Sequence, residues 1–257
     1  MNKDIEIITV KALSDNYIWL LRNHSKKLTT VIDPSDAEPV EEVLLKNNWK
    51  LNQIVNTHHH YDHTNGNLKL KEKYSAVLIA PKLEQDKIQN IDHSVEDGDT
   101  IDIAGLPAKI IHTPGHTIGH IIYYLHKEKI LFAGDTIFSL GCGRVFEGSM
   151  QDMYLSLQKI KNLDRKTTIY CGHEYTENNL NFALKVDPHN SELLNFADKI
   201  LTQKSKEIPT IPTILEDEIN CNPFLRSDNP EIAKNIGLGK MSAQETFKYL
   251  RKMKDDF

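Results

Sequence analysis

Short apolar runs separated by turn-forming residues dominate the first two thirds of the chain, and this pattern is typical of β-strands. Segments with helical periodicity intervene at 35–47, 67–74 and 149–162. The alternation predicts a domain of mixed α and β structure. The predicted strands are 5–10, 17–21, 28–32, 53–55, 76–80, 100–103, 108–111, 120–125, 129–133 and 168–171.

Three capping-box motifs indicate where helices begin. In each motif a serine precedes an acidic residue by three positions, so each side chain can bond to the backbone N–H of the other residue. The motifs are Ser35-x-x-Glu38, Ser149-x-x-Asp152 and Ser242-x-x-Glu245. They predict helix starts close to each serine.

The character of the sequence changes near residue 174. Helical periodicity prevails at 174–186 and 191–207, and a proline-containing connector at 208–223 precedes the C-terminal helix. We therefore predict a boundary there, with an α/β domain over 1–174 and a mainly helical domain over 175–257.

Composition narrows the class of protein. The chain has 257 residues, of which 39% are hydrophobic and 26% charged, as in ordinary globular proteins. Its net charge of −5 argues against nucleic acid as a partner, and we expect no membrane association because no apolar run could span a bilayer. Cys142, Cys171 and Cys221 are odd in number and far apart, which favours reduced, buried thiols in a cytoplasmic protein.

One stretch, Thr57–His63, concentrates four histidines and an aspartate. Neutral imidazole and carboxylate are ligands that zinc prefers. In an extended segment His58 and His60 share one side with Asp62, while His59 points away. His63 joins them only if the backbone turns. The alternative is a histidine-rich surface loop that binds metal adventitiously.

Three further residues of types that bind metals follow predicted strands, as His58 does. His116, Asp135 and His173 each lie a few residues beyond an apolar strand and beside a glycine. Loops that leave one edge of a rigid sheet are where sites are usually built. With the first stretch they supply five histidines and two aspartates, which is too many for one tetrahedral ion and suits two ions that share a carboxylate.

The chain resembles the metallo-β-lactamase fold superfamily over about residues 15–175. The motifs that carry this resemblance are Thr57-His58-x-His60-x-Asp62-His63, Thr113-Pro114-Gly115-His116-Thr117, Ala133-Gly134-Asp135-Thr136 and His173. The resemblance implies a four-layer αβ/βα sandwich of two mixed sheets, with the mainly helical domain appended.

A narrower resemblance, to the glyoxalase II (hydroxyacylglutathione hydrolase) family, covers essentially the whole chain. It rests on four separated motifs: Gly141-Cys142-Gly143-Arg144, Tyr170-Cys171-Gly172-His173-Glu174-Tyr175-Thr176, Asn222-Pro223-Phe224-Leu225-Arg226 and Leu250-Arg251-Lys252-Met253-Lys254-Asp255.

The resemblance implies a dinuclear metal site. One ion would be held by His58, His60 and His116, the other by Asp62, His63 and His173, and Asp135 would bridge them. Zinc is expected, although iron and manganese also accept these donors. Asp62 would in addition orient a hydroxide held by the two ions.

The implied reaction is hydrolysis of the thioester S-D-lactoylglutathione to glutathione and D-lactate, the second step of methylglyoxal detoxification. Arg144, Tyr175, Arg251 and Lys254 would bind the glutathione moiety. Phe146 stands where the family often has tyrosine, so it packs without donating a hydrogen bond. For Arg251 and Lys254 the alternative is a solvated helix end. We expect a monomer.

Three other functions are weighed against this prediction. A related hydrolase would act on a lactone, a β-lactam or RNA, but Asp135 disfavours the β-lactam and the negative net charge disfavours RNA. A persulfide dioxygenase would use one iron, whereas seven ligands indicate two ions. A structural metal module would be rich in cysteine ligands, which this set lacks.

Overall fold

The computed structural model describes residues 4–257 and divides into two compact units. The N-terminal unit comprises residues up to 112 together with 117–134, and the C-terminal unit comprises 113–116 together with 135–257. The predicted boundary near residue 174 lies inside the C-terminal unit and stays a prediction.

The N-terminal unit contains a six-stranded mixed sheet whose strands follow chain order. The first three strands are antiparallel, and the third to the sixth are parallel. The strands are β1 (Ile5–Ala12), β2 (Asn16–Asn23), β3 (Leu28–Ile32), β4 (Gln53–Val55), β5 (Val77–Pro81) and β6 (His93–Val95).

Helices connect β3, β4 and β5, because parallel neighbours need a crossover connection. Helix α1 (Glu38–Asn47) joins β3 to β4, and the short α2 (Tyr61–Thr64) and α3 (Asn67–Tyr74) join β4 to β5. Leu44 of α1 and Leu70 of α3 are buried in one apolar cluster with residues of the sheet such as Leu20. Each such leucine contributes roughly 1.5–3 kcal/mol of hydrophobic stabilisation.

The same unit contains an antiparallel meander. Its alternation of buried and exposed residues is clearest in β8, where Leu106, Ala108 and Ile110 are buried. The strands are β7 (Thr100–Ile103), β8 (Leu106–His112), β9 (Ile121–Leu125) and β10 (Ile130–Gly134).

The C-terminal unit is mainly helical. Leu180, Leu193 and Ile200 form its apolar cluster with Leu140. Its elements are β11 (Ile137–Phe138), β12 (Gly141–Cys142), α4 (Met150–Lys161), β13 (Thr168–Cys171), α5 (Thr176–Val186), α6 (Ser191–Ser205), β14 (Thr213–Ile214), α7 (Leu215–Cys221), α8 (Pro230–Asn235) and α9 (Ala243–Asp255). Strands β11 and β12 pair with each other, as do β13 and β14.

Two of the three predicted capping boxes are present. Ser149 and Asp152 cap α4 reciprocally, and Ser242 and Glu245 do so for α9. The box predicted at Ser35 is wrong, because α1 begins after Ala37 and has no side-chain cap. A proline follows Glu38, and proline is favoured in the first helical turn without any cap.

The predicted connector at 208–223 is also wrong in part, because it contains β14 and α7. The seven residues of α7 are too few for a clear helical period. All three cysteines are free and buried, as predicted. Within residues 4–257, none of the helices has the length and apolarity needed to cross a membrane.

Candidate metal centre

The four strand ends singled out by the sequence are confirmed. His58 follows β4, His116 follows β8, Asp135 follows β10 directly, and His173 follows β13. All four side chains are buried. Buried groups of this kind need partners, because an unpaired polar group away from water is costly.

In the N-terminal unit, the chain turns within the histidine stretch. Strand β4 ends at Val55, and α2 begins at Tyr61, so Asp62 and His63 lie in a helical turn. The turn brings the ring of His63 to 4.2 Å from that of His58, measured between centroids. His58 Nε2 lies 3.1 Å from His60 Nδ1. Two ring nitrogens that face each other in this way suit a shared cation.

Asp33, at the end of β3, orients two of these rings. Its Oδ1 accepts the Thr57 backbone N–H at 2.7 Å, and its Oδ2 accepts the Thr57 hydroxyl at 2.7 Å and lies 3.2 Å from His63 Nδ1. Thr57 Oγ1 in turn lies 2.9 Å from His58 Nδ1. The Thr57 hydroxyl hydrogen is donated to Asp33, so Thr57 Oγ1 can only accept from His58. His58 and His63 therefore both donate from Nδ1, which leaves each Nε2 with a lone pair for a metal.

Two more side chains position the stretch. Asn16, at the start of β2, donates to the Asp62 carbonyl at 3.0 Å and to Asp62 Oδ2 at 3.1 Å. The buried carboxylate of Glu84 accepts the His59 backbone N–H at 2.8 Å and also contacts His59 Nδ1. His59 therefore bonds to Glu84, and its ring also lies 4.9 Å from that of His60, measured between centroids.

In the C-terminal unit, Asp135 lies between two imidazoles. Its Oδ2 is 3.3 Å from His116 Nε2 and 3.3 Å from His173 Nε2. His116 donates from Nδ1 to the Arg144 carbonyl at 2.9 Å, which again leaves Nε2 for a metal. One carboxylate oxygen equidistant from two ring nitrogens is the arrangement that a bridging ligand needs.

Two glycines are required at this centre by close approach. Gly134 has φ +47°, and an added Cβ would lie 2.4 Å from Thr57 Oγ1. A Cβ on Gly143 would lie 2.0 Å from the Asp135 carbonyl oxygen. Both distances are far inside van der Waals contact, so any side chain there would displace the backbone beside Asp135.

Aromatic side chains in the C-terminal unit cover these histidines. The Tyr175 ring stacks on His173 at 4.8 Å between centroids and an interplanar angle of 3°, and Phe138 meets both rings edge-on. The Phe146 ring lies 5.2 Å from that of His116, and its side chain is 62% exposed. Phe146 and Tyr175, both predicted to bind substrate, are thus next to candidate ligands.

The three predicted cations lie together but differ in exposure. Arg251 is only 3% exposed, donates to the Cys142 carbonyl at 2.8 Å and pairs with Asp255 at 2.9 Å. Arg144 is exposed and lies 3.6 Å from the same Asp255. Lys254 bonds to Asn178, and partial burial, followed by repulsion from Arg251 and Arg144, lowers its pKa to about 8.

The donor set fits a divalent metal. It consists of imidazoles and carboxylates, the donors that borderline divalent ions prefer. In His58, His63 and His116 the Nδ1 atom is hydrogen-bonded to the protein, so Nε2 is the nitrogen that could bind a metal. The sequence did not single out Asn16, Asp33 or Glu84. Only Asp33 carried a signal, because it ends a strand as Asp135 does.

Comparison with known proteins agrees with this architecture. Residues 13–173 match the model of the metallo-beta-lactamase superfamily, and residues 174–257 match that of the hydroxyacylglutathione hydrolase C-terminus. Crystal structures of ETHE1 from Myxococcus xanthus and of the BLEG-1 B3 metallo-beta-lactamase superpose with TM-scores of 0.69 and 0.66. The first covers 96% of this chain and 89% of that one at 20% identity, and the second covers 86% and 99% at 21% identity. The predicted fold is therefore confirmed.

Relatives of the same length are more informative. The chain is 46% identical over 254 residues to the hydroxyacylglutathione hydrolase of Pelagibacter ubique, with 98% of this chain and 100% of that one covered. It is 43% identical over 257 residues to the enzyme of the same name from Brucella ovis, with 100% of both covered. The chain therefore belongs to the hydroxyacylglutathione hydrolase family of the metallo-β-lactamase superfamily.

Proposed function

We propose that this chain hydrolyses S-D-lactoylglutathione to glutathione and D-lactate, the second step of methylglyoxal detoxification. The observation that carries the proposal is Asp135 Oδ2, equidistant at 3.3 Å from His116 Nε2 and His173 Nε2. A carboxylate shared between two imidazoles is what a pair of ions sharing one ligand needs, and membership of the family supplies the substrate class.

The proposed ligands are those implied by the resemblance. His58, His60 and His116 would hold one ion, Asp62, His63 and His173 the other, and Asp135 both, with zinc as the expected metal. When bound, the two ions would supply a water of lowered pKa and positive charge opposite the developing oxyanion.

Protein groups perform the remaining work. Asp62, which Asn16 holds through two hydrogen bonds, would accept a hydrogen bond from the attacking water and so orient it. The leaving thiolate is stable, so a dedicated general acid is unnecessary. The cations Arg144 and Lys254 suit the carboxylates of glutathione, and Phe146 and Tyr175 offer apolar surface beside the thioester.

Arg251 has a narrower place in this proposal. Its guanidinium is nearly fully buried and already bonds to the Cys142 carbonyl and to Asp255. Arg251 would therefore stabilise the backbone of the binding site, while Lys254 and Arg144 would contact the substrate. The proposal also includes a monomeric state. It places the protein in the cytoplasm, because three buried free thiols suit a reducing compartment.

The test combines metal analysis with a substrate panel. Purified, zinc-loaded protein is assayed with S-D-lactoylglutathione, a β-lactam and a lactone. Iron-loaded protein is assayed with the same thioester and, in the presence of oxygen, with glutathione persulfide. The metal content of both preparations is measured. We expect thioester hydrolysis with two ions per chain. An intact thioester at high enzyme concentration, or faster turnover of another substrate in the panel, would refute the proposal.

A ligand variant and a matched control separate catalysis from folding. Asp62→Ala should keep the fold and lose at least ~1000-fold in kcat, because it removes both a ligand and the group that orients water. His189→Ala, at an exposed histidine, should match the parent. Global unfolding of Asp62→Ala would instead favour a structural metal module.

A further inference from the structure

The turn between β11 and β12 is held by side chains from the helical part of the C-terminal unit. We call residues 138–142 the hairpin turn; each of its five residues has a backbone group bonded to one of four such side chains. The turn directly precedes Gly143 and Arg144. Its position therefore bears on the centre described above.

Asn222 makes two of these bonds. Its Nδ2 donates to the Gly141 carbonyl at 3.0 Å and the Phe138 carbonyl at 3.3 Å, and its Oδ1 accepts the Phe224 N–H at 3.0 Å. The side chain is fully buried. The motif Asn222–Arg226 thus has a physical role that substrate binding does not explain.

Glu218, one turn earlier in α7, completes the arrangement. Its Oε2 accepts the Leu140 N–H at 2.8 Å and Asn222 Nδ2 at 3.0 Å, while Oε1 accepts the Thr213 hydroxyl at 2.8 Å. Asn179 donates to the Ser139 carbonyl at 3.0 Å, and Arg251 donates to that of Cys142 at 2.8 Å.

Burying the Glu218 carboxylate costs free energy, so stability alone does not explain this arrangement. Glu218 is completely buried, and burial raises its pKa to about 7. A buried carboxylate with neutral donors is a poor source of stability compared with an apolar side chain. A network of this kind specifies one backbone position, because each polar group is satisfied only there.

The position of the hairpin turn affects the candidate ligand His116 through the two residues that follow the turn, Gly143 and Arg144. Gly143 follows the turn and packs against the Asp135 carbonyl, and the next carbonyl, that of Arg144, accepts Nδ1–H of His116 at 2.9 Å. A shift of the turn therefore moves the acceptor that fixes the ring of His116. Such acceptors behind metal-binding histidines typically change metal affinity 10–100-fold when lost.

We propose that Glu218 and Asn222 are positioning residues of the metal centre, which hold the hairpin turn so that the Arg144 carbonyl orients His116. The inference rests on the proposed function only in taking His116 as a ligand. It adds a dependence of metal affinity on two residues that touch neither metal nor substrate.

The experiment compares four variants of the full-length protein. Glu218→Ala and Asn222→Asp remove the bonds to the turn, Glu218→Gln keeps an acceptor for Leu140, and Asn229→Asp makes the same amide-to-acid change at the cap of α8, where aspartate serves equally well. Hydrogen exchange of residues 137–145 is measured on the metal-free protein. Zinc affinity is measured by chelator competition, and kcat and KM follow on the zinc-loaded enzyme.

We expect Glu218→Ala and Asn222→Asp to exchange at least ~10-fold faster in this segment and to bind zinc about 10-fold more weakly, with kcat reduced more than KM is raised. Glu218→Gln and Asn229→Asp should resemble the parent. If Asn222→Asp does not fold, Asn222→Ala removes the same donors without adding charge.

Unchanged exchange in Glu218→Ala would overturn the proposal, as would faster exchange with unchanged zinc affinity. Equal losses in Glu218→Ala and Glu218→Gln would overturn the role of the acceptor. Exchange and zinc affinity need no substrate, so a parent protein inactive on the thioester would count against the proposed function alone.

Discussion

The candidate ligand residues of the two units are organised in opposite ways. In the N-terminal unit His58, His60, Asp62 and His63 lie within one short stretch, and the path of the chain brings them together. In the C-terminal unit the candidate ligands come from three separate loops, after β8, β10 and β13. We call these the contiguous half and the assembled half of the proposed ligand set.

The difference lies in what holds each half. The contiguous half needs one turn of helix and a few buried supports, of which Asp33 is the most connected. The assembled half depends on contacts made by residues distant in sequence, such as Gly143 and the Arg144 carbonyl. A site built from distant loops is therefore vulnerable to changes that a contiguous one tolerates.

The strongest test of the assembled half is Gly143→Ala. The new Cβ would lie 2.0 Å from the Asp135 carbonyl oxygen, so the backbone beside Asp135, the proposed bridging residue, must move. Misplacement by about 1 Å is expected to lower kcat/KM for the thioester by ~100-fold or more. The measurement is steady-state kinetics with metal analysis.

Gly239→Ala is the matched control. A Cβ on Gly239 meets nothing within 4 Å, and the substitution should leave kcat/KM within twofold. If Gly143→Ala retained the activity of the Gly239 variant, the assembled half would be more tolerant than its geometry implies.

Asp33→Asn tests the contiguous half. The amide keeps the shape but loses one of the carboxylate oxygens that serve Thr57 and His63, so His63 no longer has a fixed tautomer. We expect zinc affinity to fall 10–100-fold, as measured by chelator competition.

Its control is Asp36→Asn, three residues on, where the side chain accepts the Glu38 N–H and asparagine does so equally well. Equal zinc affinity in the Asp33 and Asp36 variants would mean that the contiguous half needs no support beyond its own backbone.

The smallest expected effect concerns substrate binding by the C-terminal unit. Burial and neighbouring guanidiniums lower the pKa of Lys254 to about 8, so its charge is complete well below pH 8 and is lost as the pH rises through that value. If Lys254 binds a substrate carboxylate, KM should rise about fivefold between pH 7 and pH 9, equivalent to roughly 1 kcal/mol.

Lys254→Met should have the raised KM already at pH 7, with a flatter dependence on pH. Lys252→Met, at an exposed lysine of the same helix, should keep the parent profile, which also corrects for titration of the substrate itself. Parallel profiles in the parent and Lys254→Met would exclude the lysine from binding.

Most of the regular structure could be predicted from hydrophobic periodicity. The longer strands and helices follow directly, because their apolar residues repeat with the period of the element over enough positions. The short elements α2, α7, α8, β6, β14 and the β11–β12 pair were missed, since elements of two to seven residues contain too little of any period. The capping box wrongly predicted at Ser35 shows that the motif alone does not fix a helix start, because the cap position of α1 is Ala37, two residues later.

The sequence by itself determined the mixed α/β class through its periodicity, and its motifs indicated the family and the candidate ligands through resemblance. Periodicity and motifs are both local properties of the chain. Only the tertiary structure revealed the supporting contacts. Asp33 contacts His63, Asn16 donates to Asp62, and Arg251 is buried against Cys142. Glu218 and Asn222 bond to the hairpin turn. These supports join residues far apart in the chain, and no local pattern records which distant carboxylate or amide will meet a given backbone group once the chain has folded.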